Sequence, residues 1–206
     1  SGGDLQLAPD GSLWYATGEG NTGGTSYVGS GVYRLASPRT GVFAPSDRVG
    51  GDELESTTIN ALRFDGAGRA WAATLRGVWY HDAASASGRW TLAYAPNPQY
   101  LPAALAAYST TQTGFGSGNT DSTTNAAYKN IVNDIAIDPK DARHIVAAIG
   151  WRSGDLYNGF YETRDRGVRW MKVNPTGAIN PKEIGNVTFA WSADRSKLYR
   201  SEEHTS

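Results

Sequence analysis

Apolar residues recur at every second position in short runs along this chain, and each run ends at turn-forming residues. Leu5 and Leu7 precede Pro9-Asp10-Gly11, and Leu13-Trp14-Tyr15-Ala16-Thr17 follow. The pattern returns as Leu62 and Phe64, Asp65-Gly66, then Ala70-Trp71-Ala72-Ala73-Thr74. It returns again as Ile135 and Ile137, Asp138-Pro139, then Ile145-Val146-Ala147-Ala148, and a fourth time as Phe189 and Trp191, Ser192-Ala193-Asp194, then Leu198-Tyr199. A step of two puts alternate side chains on one face of a strand, and Asp, Pro and Gly favour the turn between, so each pair predicts a hairpin. Leu7 to Trp14, Phe64 to Trp71 and Trp191 to Leu198 are each seven residues apart.

A third strand is predicted wherever Gly precedes two bulky residues: Gly31-Val32-Tyr33, Gly77-Val78-Trp79 and Gly159-Phe160-Tyr161. A fourth is predicted at Val42-Phe43, at Trp90-Thr91-Leu92 and at Trp170 to Val173. Four-stranded antiparallel units repeated in this way predict an all-β fold, a β-propeller, whose blades bury their faces against their neighbours. A sandwich or a simple meander is the competing reading. The blades are expected at 4–46, 59–94, 131–173 and 187–199, about three and a half in all, which does not close a ring.

Composition narrows the functional classes. The chain has 206 residues, 19 Lys+Arg against 20 Asp+Glu, and no cysteine. At that charge balance phosphate neutralisation does not organise the surface, so nucleic acid is not the expected partner. Disulfides, thiolate metal sites and thiol nucleophiles are excluded. No apolar run approaches the 18 or more residues of a membrane helix. No metal or cofactor is expected. The chain opens on Ser1-Gly2-Gly3 and its one methionine is Met171, which suggests a processed or partial chain.

Between strands three and four of the third blade, Thr163-Arg164-Asp165-Arg166-Gly167-Val168-Arg169-Trp170 fits Ser/Thr-x-Asp-x-Gly-x-x-Trp, the Asp-box. Its chemistry is structural: the carboxylate accepts backbone N–H groups across a tight turn, the glycine supplies a positive φ, and the tryptophan packs beneath the hairpin. Ser37 to Gly41 and Asp82 to Trp90 carry degraded versions. Together with Ala16-Thr17-Gly18-Glu19-Gly20-Asn21, Ser30 to Arg34, Ile135 to Pro139 and Asn158 to Tyr161, the motif resembles the sortilin-like Asp-box (BNR repeat) β-propellers, over nearly the whole chain. The resemblance implies a secreted or cell-surface setting, extracellular or periplasmic, and a group often labelled glycosyl hydrolase in bacteria. It implies a fold more than an activity. The arginine triad and tyrosine of sialidases and the catalytic aspartates of xyloglucan-active propellers find no matching motif, so no catalytic residue is assigned. Arg200 to Ser206 resemble a translated sequencing adapter and are read as a non-native tail.

In a propeller, links between strands one and two and between three and four lie on one side, and the other links lie opposite. The first set is compact. The second set includes 18–30, 47–58, 95–130, 150–158 and 174–183, well above the ordinary length of about 4 to 6 residues, and this elaborated side is where a ligand is expected. It carries Glu19, Asn21, Asp52, Glu53, Trp151, Arg152, Asp155, Tyr157 and Asn158, whose aromatic, amide and carboxylate groups suit sugar rings or peptide segments. The insertion 95–130 has a possible helical turn over Pro102 to Tyr108 and then a Gly/Ser/Thr/Asn-rich stretch, the composition of a lid or a disordered excursion. Asn60 and Asn133, like Asp4 and Asp134, occupy matching places on their inner strands, near the expected channel. The first functional reading is a glycan- or protein-binding module that also contacts the remaining blades of a parent chain. The alternatives are a glycoside hydrolase pairing Glu19 with Asp52, Glu53 or Glu55, and an assembly scaffold.

Overall fold

A computed structural model describes residues 2–20, 27–84, 88–97, 130–150, 156–174 and 180–204, without the side chains of 202–204. The predicted hairpins are present. The first sheet comprises β1 (Gly2–Leu7), β2 (Leu13–Thr17), β3 (Val32–Leu35) and β4 (Arg48–Val49). The second comprises β5 (Ile59–Phe64), β6 (Arg69–Thr74), β7 (Gly77–Asp82) and β8 (Trp90–Tyr94). The third comprises β9 (Val132–Asp138), β10 (Asp141–Ile149), β11 (Gly159–Thr163) and β12 (Met171–Val173), and a two-stranded sheet of β13 (Ile184–Trp191) and β14 (Leu198–His204) follows. Within each sheet the strands neighbour one another in chain order, as in an antiparallel meander.

The sheets stack face to face. Trp14, Ala16 and Val32 of blade 1 share a core with Leu62, Ala70, Ala72, Trp79 and Trp90 of blade 2. Ala61, Trp71, Ala73 and Val78, on the other face of blade 2, meet Ile135, Ile145, Ala147 and Tyr161 of blade 3. Ala148 and Phe160 then meet Ile184 and Val187 of blade 4. A sheet covered on both sides has no polar face, which is why Ala70 to Thr74 are all buried and read as one apolar run. This is an all-β, unclosed β-propeller section whose cores lie between the blades.

Two details depart from the sequence expectation. The outer strand of blade 1 is Arg48–Val49, paired with Tyr33 and Val32, and not Val42-Phe43. The chain between them turns at Ser37 to Gly41, with Gly41 N–H on Ser37 O at 2.8 Å, and then enters a 3-10 turn at Pro45–Asp47. Pro45 has no N–H for a ladder, and Val42 is 85% exposed, so pairing waits until the chain has passed both. Phe43 instead packs its ring 5.8 Å from Tyr15. The compact side therefore carries one long excursion, 36–47. In blade 4, β14 continues through His204, which pairs with Ile184.

Candidate functional site on the long-loop side

Three segments converge where blades 1 and 2 meet on the elaborated side. The loop leaving β2 is narrowed at its neck: Thr17 Oγ1 donates to Gly31 O at 2.7 Å and accepts Ser30 N–H at 2.8 Å. Glu19 N–H donates to Tyr27 O at 2.9 Å, and the Glu19 carboxylate accepts Tyr27 N–H at 3.4 Å. Gly29 and the blade-to-blade link are tied by Gly29 N–H on Thr57 O and Ser56 N–H on Gly29 O, each at 3.0 Å. Ser56 sits at φ 57, a left-handed conformation seldom adopted without constraint. The β6–β7 turn joins through Leu75 N–H on Thr58 O.

This seam gathers side chains of both charges. Arg48 Nη2 lies 3.6 Å from the Glu55 carboxylate, and Arg76 Nη1 donates to Glu55 O at 3.4 Å. Burial lowers the Arg76 pKa from its ordinary value, because a desolvated cation is disfavoured. Next to this seam, Asn60 of β5 reaches across to blade 3, donating to Val132 O at 2.8 Å, while its Oδ1 is buried without a hydrogen-bond partner. Glu19, Glu55 and Asn60 are among the residues the sequence points to, and Arg48 and Arg76 are not. A lone arginine in a strand or a two-residue turn carries no motif, and the one available signal was the short 75–76 link set among long ones.

The other expected site residues are dispersed. Asp52 is exposed on the link. Glu53 is 1% exposed, with Oε2 accepting Gly51 N–H at 2.8 Å and Oε1 3.7 Å from Arg89 Nη1, in the crevice beside Trp90. Tyr157 and Asn158 stand at the seam of blades 3 and 4, where Tyr157 O accepts the Tyr161 hydroxyl at 2.8 Å and Asn158 Nδ2 donates to Lys182 O at 2.9 Å. Asn21, Trp151, Arg152 and Asp155 lie outside the described residues, as do Pro102 to Tyr108 and nearly all of the long insertion. Its neck is described: Asn97 N–H donates to Asn130 Oδ1, and Asn130 Nδ2 to Asn97 O. Among the described residues no group of three His, Asp or Glu side chains is placed to hold a metal ion, and no helix is long and apolar enough to cross a membrane.

The Thr163 to Trp170 turn is held by a set of short hydrogen bonds. Thr163 Oγ1 donates to Asp165 Oδ1 at 2.8 Å and accepts Gly167 N–H at 2.9 Å, and Arg169 N–H reaches Asp165 Oδ1 at 2.9 Å. Gly167 has φ +92, and Trp170 Nε1 closes the turn on Gly167 O. Unexpectedly, the turn also clamps the neighbouring blade. Arg166 makes a bidentate pair with Asp65 of blade 2, at 2.9 and 3.0 Å, and Asp65 also accepts Trp71 Nε1–H at 3.1 Å. Desolvation raises the Asp65 pKa, but hydrogen bonds from Arg166, Arg69 and Trp71 outweigh it and leave it below the ordinary value.

The matching inner-strand carboxylates are clamps as well. Asp4 Oδ2 accepts Leu62 N–H of the next blade at 2.7 Å, and Asp134 Oδ2 accepts Phe189 N–H at 2.9 Å. Arg63 bridges Asp4 and Asp134. Burial raises the Asp134 pKa despite that cation.

Stacked four-stranded sheets with inner strands side by side define the class: a β-propeller-type protein. Comparison with known proteins agrees at the level of fold. No protein-family model matches the chain, and no curated protein matches it in sequence. An ancestral GH74 enzyme superposes over 97% of this chain at 16% identity with a TM-score of 0.57. PorZ, an essential bacterial surface component of the type-IX secretion system of Porphyromonas gingivalis, covers 97% at 14% identity with a TM-score of 0.54. The chain spans only 21% and 24% of those two chains.

Proposed function

We propose that this chain is a section of a sortilin-like Asp-box β-propeller acting outside the cell, whose long-loop side binds a glycan or protein ligand, the remaining blades of a parent chain being its structural partners. The observation that supports this reading is the convergence of three segments at the seam of blades 1 and 2. They carry Glu19, Glu55 and Arg76, and with Arg48 beside Glu55 they put charges of both signs on that side. The surface setting of PorZ is consistent with the proposed location. The test is titration calorimetry against soluble oligosaccharides, xyloglucan fragments and sialylated glycans included, and against acidic and basic peptides. Binding by one class that weakens at least tenfold in Arg76→Ala and leaves the melting temperature unchanged supports the reading. Binding that is indifferent to Arg76, Glu19 and Asn60 contradicts it.

The GH74 neighbour motivates a second reading, glycoside hydrolysis on the same side with Glu19 as one carboxylate and Asp52, Glu53 or Glu55 as the other. Release of reducing sugar that is lost in Glu19→Gln with binding retained favours it over simple binding.

A further inference from the structure

Blades 1 and 3 carry a long cation at the same place on the outer strand. Arg48 pairs with Tyr33, two residues after Gly31, and Lys172 pairs with Tyr161, two residues after Gly159. Each glycine makes room for its cation: a Cβ would fall 3.2 Å from Arg48 Nε at Gly31 and 2.7 Å from Lys172 Cε at Gly159. The two cations then differ. Lys172 Nζ donates to Leu156 O at 2.9 Å. Arg48 Nε and Nη2 are buried with no hydrogen-bond acceptor among the described residues, although a buried guanidinium N–H left unpaired is costly. Its counter-charge, Glu55, stands 3.6 Å from Nη2, and the Glu55 side chain is 55% exposed. That separation is too long for a hydrogen bond, and exposed ion pairs hold weakly. Arg76 is no better matched, with Nη1 on Glu55 O at 3.4 Å. Two guanidinium groups thus share one acidic residue.

The same seam presents an aromatic ring. Ser56 N–H, next to Glu55, donates to Gly29 O, and two residues before Gly29 comes Tyr27, which is 72% exposed. Its backbone is pinned in both directions by Glu19, through Glu19 N–H on Tyr27 O at 2.9 Å and Tyr27 N–H on the Glu19 carboxylate at 3.4 Å. An exposed tyrosine on a fixed backbone offers a broad amphipathic face at small entropy cost. We infer that Arg48 and Arg76 receive the carboxylate of an acidic oligosaccharide of the uronic-acid type, that Glu55 is a place-holder which this carboxylate displaces from Arg48, and that Tyr27 is the platform for a pyranose ring. The guanidinium fork matches a planar carboxylate, and a pyranose turns an apolar C–H face to the tyrosine. An extended acidic peptide brings the carboxylate without that rigid face. The inference deepens, and rests on, the reading of the long-loop side as a binding surface.

Titration calorimetry of the chain, with trigalacturonate, its fully methyl-esterified form and hexaglutamate as probes, tests this. Trigalacturonate binds, and the neutral ester binds about tenfold less tightly, as expected when one charge-assisted hydrogen bond is lost. Arg48→Met brings the acid down to the affinity of the ester and leaves the ester unchanged, whereas Tyr27→Ala weakens both. Glu55→Gln binds the acid about threefold more tightly, because no internal carboxylate competes for Arg48; as a change at an exposed side chain, it carries the test should Arg48→Met not fold. Equal affinity for acid and ester, or a Glu55→Gln chain that binds the acid no better than the native one, overturns the inference while leaving the long-loop side a binding surface. Tighter binding of hexaglutamate than of trigalacturonate makes the ligand a peptide and overturns it too. If none of the three probes binds, the inference falls, and the xyloglucan fragments decide the broader reading separately.

Discussion

Replacing Asp65 by alanine removes the carboxylate that ties blade 2 to blade 3. Its side chain is fully buried, and it holds the bidentate Arg166 guanidinium, the Trp71 indole N–H and the backbone N–H groups of Ala67 and Arg69. Breaking one side of a buried ion pair costs about 3–5 kcal/mol. The Arg166 side chain is 26% exposed, so water partly re-solvates it and the loss should lie near the lower end, about 3 kcal/mol. With an m-value of about 2 kcal/mol/M in urea, the midpoint falls by about 1.5 M. Arg166→Met combined with Asp65→Ala gives a coupling of about 1.5–3 kcal/mol, the range for charge-assisted hydrogen bonds. The assay is urea unfolding followed by tryptophan fluorescence. A loss below about 1 kcal/mol, or additive single variants, refutes the inter-blade clamp. Because Asp65 is held below its ordinary value of 3.8 in the fold, its contribution is present above that pH and is lost as pH falls through the lower, folded value.

Other outcomes follow from the same structure. Burial holds the His81 pKa below 6.5 in the crevice between Trp14 and Trp90, so stability declines as pH drops through 6.5 and the unfolded chain takes up a proton that the fold resists; a urea midpoint that is flat between pH 7.5 and 5.5 contradicts this. Leu62→Ala costs about 2–5 kcal/mol as a core truncation, while Leu5→Ala at the matching place costs under about 0.5 kcal/mol, measured by the same unfolding assay. Gly77 has φ +101, and a Cβ there would fall 2.3 Å from Tyr94 O, so Gly77→Ala lowers stability by about 2–4 kcal/mol and is read by thermal melting.

Strand alternation and turn residues made the hairpins and the repeat legible, because both are local properties of the chain. Pattern did not reveal β4, since a two-residue strand has no period, and Val42-Phe43 offered a better local apolar pair. Asp65 looked like an ordinary Asp-Gly turn residue; its bond to Arg166 spans 101 positions and exists only once blades stack. Asp4 and Asp134 were matched by position, but their task of capping an amide on the following blade depends on stacking as well. Glu53 looked like one more acidic loop residue, and only packing shows it turned onto Gly51 N–H. Arg48 and Arg76 joined the candidate site for the same reason, through neighbours distant in sequence.

Successive sheets stack face to face in chain order, and nuclear Overhauser spectroscopy of the chain reads that stacking pair by pair. Cross-peaks are expected at all three junctions: Trp14 with Phe64, whose rings are 5.3 Å apart, Trp71 with Gly167, and Phe160 with Phe189 at 6.0 Å. Cross-peaks confined to strands within a sheet, with none at those three pairs, would contradict it.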